Sequence, residues 1–363
     1  MRLSLAAAVP LLALGPCVPA LAAGPVNPQT LTTIAFGSCA QEDKAQPIWG
    51  SIVAQRPDLF LFIGDNVYAD QPDPVTSPGQ IAKAYRDLGA KPGFQKLRVA
   101  CPVIATWDDH DYGQNDAGKE FRLKKPAQLL MLSFFKEPAN SPRWTRDGVY
   151  GAWVFGPAGK RVQVLMLDTR YFRDPITRDP AWRPGGPVGP YKPKTLEDRS
   201  TLLGDEQWAW LGEQLRKPAD VRIVASSIQV VAGEHGWEGC CNFPAEQQRL
   251  YDLIGKTGAG GVVFISGDRH LIEMSKRSDA STPYPMWDFT SSGFNWEPGE
   301  VNEANRYRQG PVLRQPNFGV IRIDWSGNPR VTLEGRGGDG AVLMSQEVEL
   351  ASLQTSAPQT SAP

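Results

Sequence analysis

The feature that most constrains the fold of this 363-residue chain is a series of six short apolar runs, each followed at once by a polar cluster. Each run is rich in β-branched residues and is bounded by turn residues, which is the pattern of a buried β-strand. Segments with helical spacing lie between several of the runs, so the chain is predicted to be an α/β protein. The six predicted strands are 32–36, 59–63, 103–107, 162–167, 221–225 and 262–265.

The polar clusters contain the candidate functional residues. In α/β folds the loops at the carboxyl ends of the strands share one crevice, which would bring Asp65, Asp109 and Asp268 together. Carboxylates that approach closely repel one another strongly at low dielectric, so this arrangement requires bound cations. The sequence therefore predicts a metal centre at the carboxyl edge of the sheet.

Three further side chains could complete such a centre. His270 offers an imidazole, while a thiolate from Cys39 and a phenolate from Tyr68 favour a softer or more acidic ion. Two alternatives stay open at this point. Cys39 could instead form a disulfide or fill the core, and Tyr68 could be an ordinary, partly buried tyrosine.

Outside the six runs the sequence predicts more strands, helices and loops. Short apolar stretches after residue 286 predict further antiparallel strands, giving two sheets with helices outside. The segments 118–148 and 173–199 are rich in Pro, Arg and Lys, and we expect them to form lids or lobes over the crevice. Helices are predicted over 46–55, 205–216 and 245–254.

The amino-terminal residues indicate export. One basic residue, a short apolar core and an Ala-x-Ala site predict a Sec-type signal peptide over 1–23, cleaved after Ala22 or Ala23. Three prolines argue against a buried helix there. We expect a periplasmic or secreted protein with one domain over 24–350, a disordered tail over 351–363 and no membrane span.

Charge and cysteine content limit the partners and the covalent framework. With 38 Lys+Arg against 39 Asp+Glu, the net charge of −1 excludes a protein that coats nucleic acid. We also expect the protein to be a monomer.

Four cysteines remain without Cys17 of the predicted signal peptide. Their pairing stays open, because adjacent cysteines such as Cys240 and Cys241 rarely bridge each other.

Five segments together resemble the alkaline phosphatase D (PhoD-like) family of metallophosphoesterases. The resemblance covers about residues 30–340 and depends on the order and strand context of these segments. They are FGSC at 36–39, GDNVYAD at 64–70, WDDHDYGQND at 107–116, LDTR at 167–170 and SGDRH at 266–270.

The resemblance implies a four-layer αββα sandwich of two mixed sheets flanked by helices. It implies an exported enzyme that hydrolyses small phosphate mono- and/or diesters by a metal-activated hydroxide, with iron(III) and calcium, or with zinc, manganese or magnesium in their place. It also implies roles for individual residues. The metal ligands would be Cys39, Asp65, Tyr68, Asp109, Asp268 and His270, with Asp108 as ligand if the alignment is off by one residue.

The resemblance also implies residues that act on the substrate. His110 occupies the position of the catalytic histidine, and Asn115 and Arg170 would contact phosphate oxygens, although Arg170 could equally form a structural ion pair with Asp168. The chain departs from well-known members by having Asp111 in place of Glu and Asn115-Asp116 in place of an Asn pair, so it resembles another branch and a different substrate is possible. The alternative function is a non-catalytic exported protein that binds metal or phosphate. The presence of His110 argues against it, because a binding protein needs no proton donor.

Overall fold

Two six-stranded sheets form the centre of the molecule in the computed structural model, which describes residues 26–184, 186, 188–296 and 303–355. The predicted signal peptide and most of the predicted tail lie outside these residues. The strands are β1 (Thr33–Gly37), β2 (Leu59–Ile63), β3 (Val103–Thr106), β4 (Gly151–Phe155), β5 (Val162–Met166), β6 (Thr177–Arg178), β7 (Tyr191–Lys192), β8 (Val221–Ser226), β9 (Val262–Ser266), β10 (Ile272–Arg277), β11 (Met286–Ser291), β12 (Asn317–Asp324), β13 (Arg330–Gly337) and β14 (Val342–Glu349).

Both large sheets are mixed, and their parallel strands position the functional loops. The first sheet has the order β14-β13-β12-β1-β2-β3, in which β1, β2 and β3 run parallel. The second has the order β10-β11-β9-β8-β5-β4, in which β5, β8, β9 and β11 run parallel. Strands β6 and β7 form a separate antiparallel pair. Each large sheet therefore gathers several strand ends along one edge.

Helices cover the outer faces of the two sheets. The helices are α1 (Ile48–Ala54), α2 (Pro78–Gly89), α3 (Pro92–Ala100), α4 (Asp109–Tyr112), α5 (Lys124–Phe134), α6 (Gly204–Leu215) and α7 (Pro244–Thr257). Three of them, α1, α6 and α7, correspond to helices predicted from the sequence. Among the described residues no helix is both long enough and apolar enough to cross a bilayer.

The core consists of two apolar clusters that together define four layers. Between the sheets, Phe36 of β1 meets Phe289 of β11 edge to face at 5.5 Å. On the outer face of the first sheet, Phe60 and Phe62 of β2 pack against Trp49 of α1 at 6.0 and 5.9 Å. Burial of these rings removes apolar surface from water on both sides of the sheet. The predicted αββα sandwich is confirmed.

The structure differs from the sequence prediction in the way strands are shared between the sheets. The six predicted strands divide three and three, and the later strands also separate, since β11 pairs parallel with β9 whereas β12, β13 and β14 extend the first sheet. Strands β4 and β10 were not predicted. Such pairing depends on long-range contacts that local patterns do not encode.

The segment 118–148 is predicted to form a lid or lobe over the crevice, and that prediction is wrong for its helix α5. Its helix α5 buries Leu130, Met131 and Phe134 in the helical layer, where the Phe134 ring stacks on Phe94 at 5.9 Å. The polar residues of the segment led to the wrong prediction, because an amphipathic helix also contains them on its exposed face. The segment 173–199 contains β6 and β7 and is largely exposed, as expected for a surface lobe.

Two smaller observations concern the chain end and the cysteines. Leu353 is fully buried, and its carbonyl accepts a hydrogen bond of 2.6 Å from Gly261 N, so packed structure continues past residue 350. Among the described residues all four cysteines are free.

Candidate metal centre

Loops from both sheets meet at the carboxyl ends of their parallel strands. Asp108 follows β3 of the first sheet, and its Oδ1 accepts a 2.6 Å hydrogen bond from Ser227 Oγ, which follows β8 of the second sheet. Asp65 follows β2, and Asp268 follows β9. The convergence predicted from the strand-end pattern is present in the structure.

The first group of candidate ligands contains sulfur, oxygen and nitrogen donors. One donor atom each from Cys39, Asp65 and His270 lies within 4.8 Å of the others. The Tyr68 hydroxyl lies 3.3 Å from Asp65 Oδ2 and 3.0 Å from His270 Nε2. The structure thus brings all four of these residues together.

Three further groups share Asp109 with one another, and one of them also shares Asp65 with the first group. They are Asp65, Asp109 and His110; Asp108, Asp109 and Asp268; and Asp109, Asp116 and Glu238, again with donor atoms within 4.8 Å. Asp65 therefore belongs to two groups and Asp109 to three. Shared carboxylates of this kind can bridge neighbouring ions, which is the arrangement of a multinuclear centre.

The backbone at these positions is held in an unfavourable conformation. Cys39, Asp65, Asp268 and His270 have φ angles of 61°, 45°, 68° and 58°, in the left-handed region that non-glycine residues seldom adopt. Strain of this kind clusters at functional sites, where surrounding structure maintains it. Here three of the strained residues supply one donor group, and the fourth, Asp268, belongs to another.

Close packing between loops supports the same positions. A Cβ atom on Gly267 would lie 2.7 Å from Ser38 Oγ and 2.9 Å from Ser227 O. No side chain fits at such distances without displacing the loops that carry Cys39 and Asp268. Glycine is therefore required beside the candidate ligand Asp268.

His110 lies beside the candidate ligands and is held by a carboxylate. Its Nδ1 is 2.7 Å from Asp70 Oδ1, and its ring stacks on Tyr68 at a centroid distance of 4.2 Å. Burial lowers the pKa of His110, but the negative charges of Asp109, Asp65 and Asp70 outweigh burial and raise it well above the usual value. The imidazole is therefore poised to hold a proton.

Arg170 lies in a buried ion-pair network. Its Nε donates to Asp108 Oδ1 at 2.5 Å, its Nη1 donates to Glu238 Oε1 at 2.9 Å, and its side chain has no exposed surface. Asp168 accepts a hydrogen bond from the backbone N–H of Arg170 and does not pair with the guanidinium. The network places Arg170 behind the carboxylates, not on a surface where substrate could meet it.

Asn115 lies at the exposed side of the same region. Its Nδ2 donates to Asp116 Oδ2 at 2.8 Å. Asp116, in turn, donates its backbone N–H to Asp109 Oδ2 at 2.7 Å and accepts a hydrogen bond from the Tyr191 hydroxyl. Asn115 is thus connected to the centre through Asp116.

The donor set fits metal ions. Burial, followed by the charges of neighbouring carboxylates, raises the pKa of Asp268 well above its usual value, and burial raises the pKa of Asp108 to about 7 despite Arg170. The buried atoms Asp108 Oδ2 and Asp109 Oδ1 have no hydrogen-bond partner in the described structure. Buried carboxylate oxygens without donors are costly unless a cation satisfies them.

The sulfur and phenol donors need a cation to act as ligands. Burial, then the charge of Asp65, raises the pKa of Cys39 and of Tyr68 well above the usual values. Both groups would keep their protons in the protein alone. A strongly acidic ion would displace those protons, so these two donors fit the ion class that the sequence predicts.

Sequence reasoning missed three residues that touch the site: Asp70, Glu238 and Trp296. Asp70 could have been found, because it closes the segment 64–70 that already holds Asp65 and Tyr68. Glu238 lies 12 residues after β8. Trp296 lies in the loop after β11, and the centre of its ring is 4.7 Å from that of His270. No local pattern marks either of those two positions.

Comparison with known proteins gives consistent results. A family model described as PhoD-like phosphatase matches residues 34–334. Alkaline phosphatase D of Bacillus subtilis (strain 168) is 26% identical over 280 residues, which cover 66% of this chain and 46% of that protein. The match therefore spans about half the length of that relative.

Two solved structures share the fold. A structure of PhoD has a TM-score of 0.72 at 16% identity, covering 92% of this chain and 73% of that one. Purple acid phosphatase PPD1 from yellow lupin (Lupinus luteus) seeds has a TM-score of 0.62 at 15% identity, covering 93% of this chain and 58% of that one. At these identities the likeness concerns the fold alone.

The two-sheet sandwich with an acid-rich centre at its strand ends is a metallophosphatase-like fold. Within that class, the family model covers most of the chain and all five segments of the predicted resemblance. The chain belongs to the PhoD-like phosphatase family.

Proposed function

We propose that this protein is a metal-dependent phosphoesterase that hydrolyses small phosphate mono- and/or diesters. The observation that carries the proposal is the set of overlapping donor groups built from Cys39, Asp65, Asp109, Asp268 and His270. Family membership supports the same chemistry. The bound ions would lower the pKa of water, orient the phosphate and neutralise its charge.

The residues around the ions have separable tasks in this proposal. Asp65 and Asp109, which belong to two and three donor groups respectively, would hold neighbouring ions at a fixed separation. Arg170, anchored by Glu238, would hold Asp108 in place and would not contact the substrate. Asn115 lies on the exposed side, where a phosphate oxygen could reach its amide.

His110 would supply the proton for the leaving group. Because Asp70 occupies Nδ1, the proton to be transferred is the one on Nε2. Asp70, which is not a candidate metal ligand, would keep the imidazole protonated and oriented until the leaving oxygen develops negative charge. No covalent enzyme intermediate is required.

Iron(III) and calcium are the proposed ions, with zinc, manganese or magnesium as substitutes. Cys39 and Tyr68 would hold the iron, while the carboxylate oxygens suit calcium. A visible charge-transfer band that weakens in Cys39→Ser and Tyr68→Phe tests this assignment. An active, iron-free and colourless protein would remove both residues as iron ligands.

Export is the remaining part of the proposal. Residues 1–23 would direct secretion and be removed after Ala22 or Ala23, leaving the folded domain in the periplasm or outside the cell. Amino-terminal sequencing of the protein recovered from a bacterial expression host tests it. An uncleaved amino terminus in the cytoplasmic fraction would contradict it.

The catalytic proposal is tested by removing one donor. Asp268→Ala should lose bound metal and the hydrolysis of both p-nitrophenyl phosphate and bis-p-nitrophenyl phosphate. Asp252→Ala, at an exposed position of α7, is the matched control and should retain both. Wild-type protein that carries metal but turns over neither ester would show that the protein binds ions without hydrolysing these substrates.

A further inference from the structure

A cavity of about 470 Å³ lies at the edge of the second sheet, away from the metal centre. One wall is the edge strand β4, which contributes Ala152 and Val154, and another is helix α6, which contributes Trp210 and Gln214. None of the residues of the candidate metal centre lines it. The volume is in the range of cavities that hold small molecules.

All charged residues that line this cavity are positively charged. Arg146, Arg161 and Lys217 line it, and none of the lining residues is acidic. The chain as a whole is nearly neutral, at a net charge of −1, so this concentration of positive charge is local. An anion in the cavity would meet attraction from several sides.

Arg146 and Arg161 lack counter-ions. Both are partly buried, and no carboxylate oxygen of the described residues lies within 4 Å of either guanidinium. In contrast, Arg143 pairs with Glu137 at 2.9 Å and Arg269 with Glu303 at 2.7 Å, while the buried Arg222 donates to backbone carbonyl oxygens, among them Gly260 O at 2.6 Å. A partly buried guanidinium without a counter-ion is stabilised when an anion neutralises it.

The Arg146 side chain is also held in position by aromatic rings. The Arg146 guanidinium lies 3.7 Å from the centre of the Tyr150 ring and 5.8 Å from that of Trp210. Its Nε, like that of Arg161, has no hydrogen-bond partner among the described residues. Burial lowers the pKa of Arg146 to about 10, a sign that the charge is incompletely solvated.

We propose that this cavity binds a small amphipathic anion, with a carboxylate, phosphate or sulfonate head on Arg146 and Arg161 and an apolar body against Trp210 and Val154. Guanidinium groups suit oxyanion heads, and the indole ring suits a flat apolar body. The site is separate from the phosphoesterase centre, so binding there does not require hydrolysis.

The test is calorimetric titration of the full-length protein with 2-naphthalenesulfonate, which is not a phosphate ester. We expect saturable binding that weakens about tenfold or more in the double variant Arg146→Gln/Arg161→Gln, because two charge-assisted contacts are lost. Lys160→Gln removes an exposed charge beside Arg161 that does not line the cavity, and should bind as wild type does. The uncharged analogue 2-naphthalenemethanol should bind far more weakly.

Three results would overturn the proposal. One is equal affinity of the wild type and the double variant. Another is equal binding of the uncharged analogue, and the third is inorganic sulfate binding as tightly as the naphthyl compound, which would show that the apolar wall contributes nothing. An unchanged midpoint of thermal unfolding shows that the double variant is folded. Because binding is read independently of turnover, this proposal and the catalytic proposal can fail separately.

Discussion

Asp70→Asn tests the role of the carboxylate that holds His110. The contact between His110 Nδ1 and Asp70 Oδ1 is 2.7 Å long, and the side chains are 10% and 4% exposed, so water screens the pair little. A buried hydrogen bond to a charged group contributes about 2 kcal/mol, which corresponds to about a 30-fold fall in kcat. The asparagine is nearly isosteric, so metal content should not change.

The assay is steady-state hydrolysis of p-nitrophenyl phosphate by metal-analysed protein. Asp73→Asn, an exposed position in the same loop, is the matched control and should behave as wild type. The decisive comparison is a double-mutant cycle with His110→Gln, in which Asp70→Asn should cost little further activity. An undiminished additional loss in that background would refute the claim that Asp70 acts through His110, and so would loss of metal from Asp70→Asn alone.

Three further changes test the structure around the site. Glu238→Gln removes the charge of a buried partner of Arg170 and should lower the free energy of unfolding by about 3 kcal/mol in urea titration. The control Glu234→Gln, in an exposed ion pair, should change the free energy of unfolding little. Equal effects of the two substitutions would contradict the buried network. Gly267→Ala should reduce metal content and activity together, because its Cβ would meet Ser38 Oγ at 2.7 Å, and full metal occupancy would show that the loops yield easily. Cys39→Ser should keep the fold, as judged by thermal unfolding, but bind less iron, and unchanged iron content would exclude the thiol as a ligand.

Much of the architecture could be predicted because strands and their following loops are local features. Runs such as 59–63 and 262–265 have a composition that favours buried strands, and both are strands in the structure. Parallel pairing then determines where Asp65 and Asp268 lie. The convergence of the carboxylates followed from that geometry without knowledge of the sheet order.

The division of strands between two sheets could not be predicted in the same way. After β9 the chain forms β10 and then β11, and β11 lies between β10 and β9 in the second sheet. Strand β12 instead joins the first sheet, where it pairs with β1. Nothing in the local composition of 286–291 and 317–324 separates these two fates. The choice depends on long-range packing between the two sheets.

The supporting residues of the site were the hardest to predict. Glu238 reaches Arg170 across 68 residues of chain, and Arg170 reaches Asp108 across 62. Such contacts arise because loops from different sheets fold over one another. The candidate ligands, in contrast, each stand within a few residues of a strand end, where sequence alone can place them.

The most direct test of the central claim is metal removal and restoration. Protein treated with a chelator and then dialysed should lose hydrolysis of p-nitrophenyl phosphate and bis-p-nitrophenyl phosphate, and should regain it when iron and calcium are returned. At full activity we expect more than one ion per chain. Undiminished turnover by protein shown to be free of metal would contradict the account.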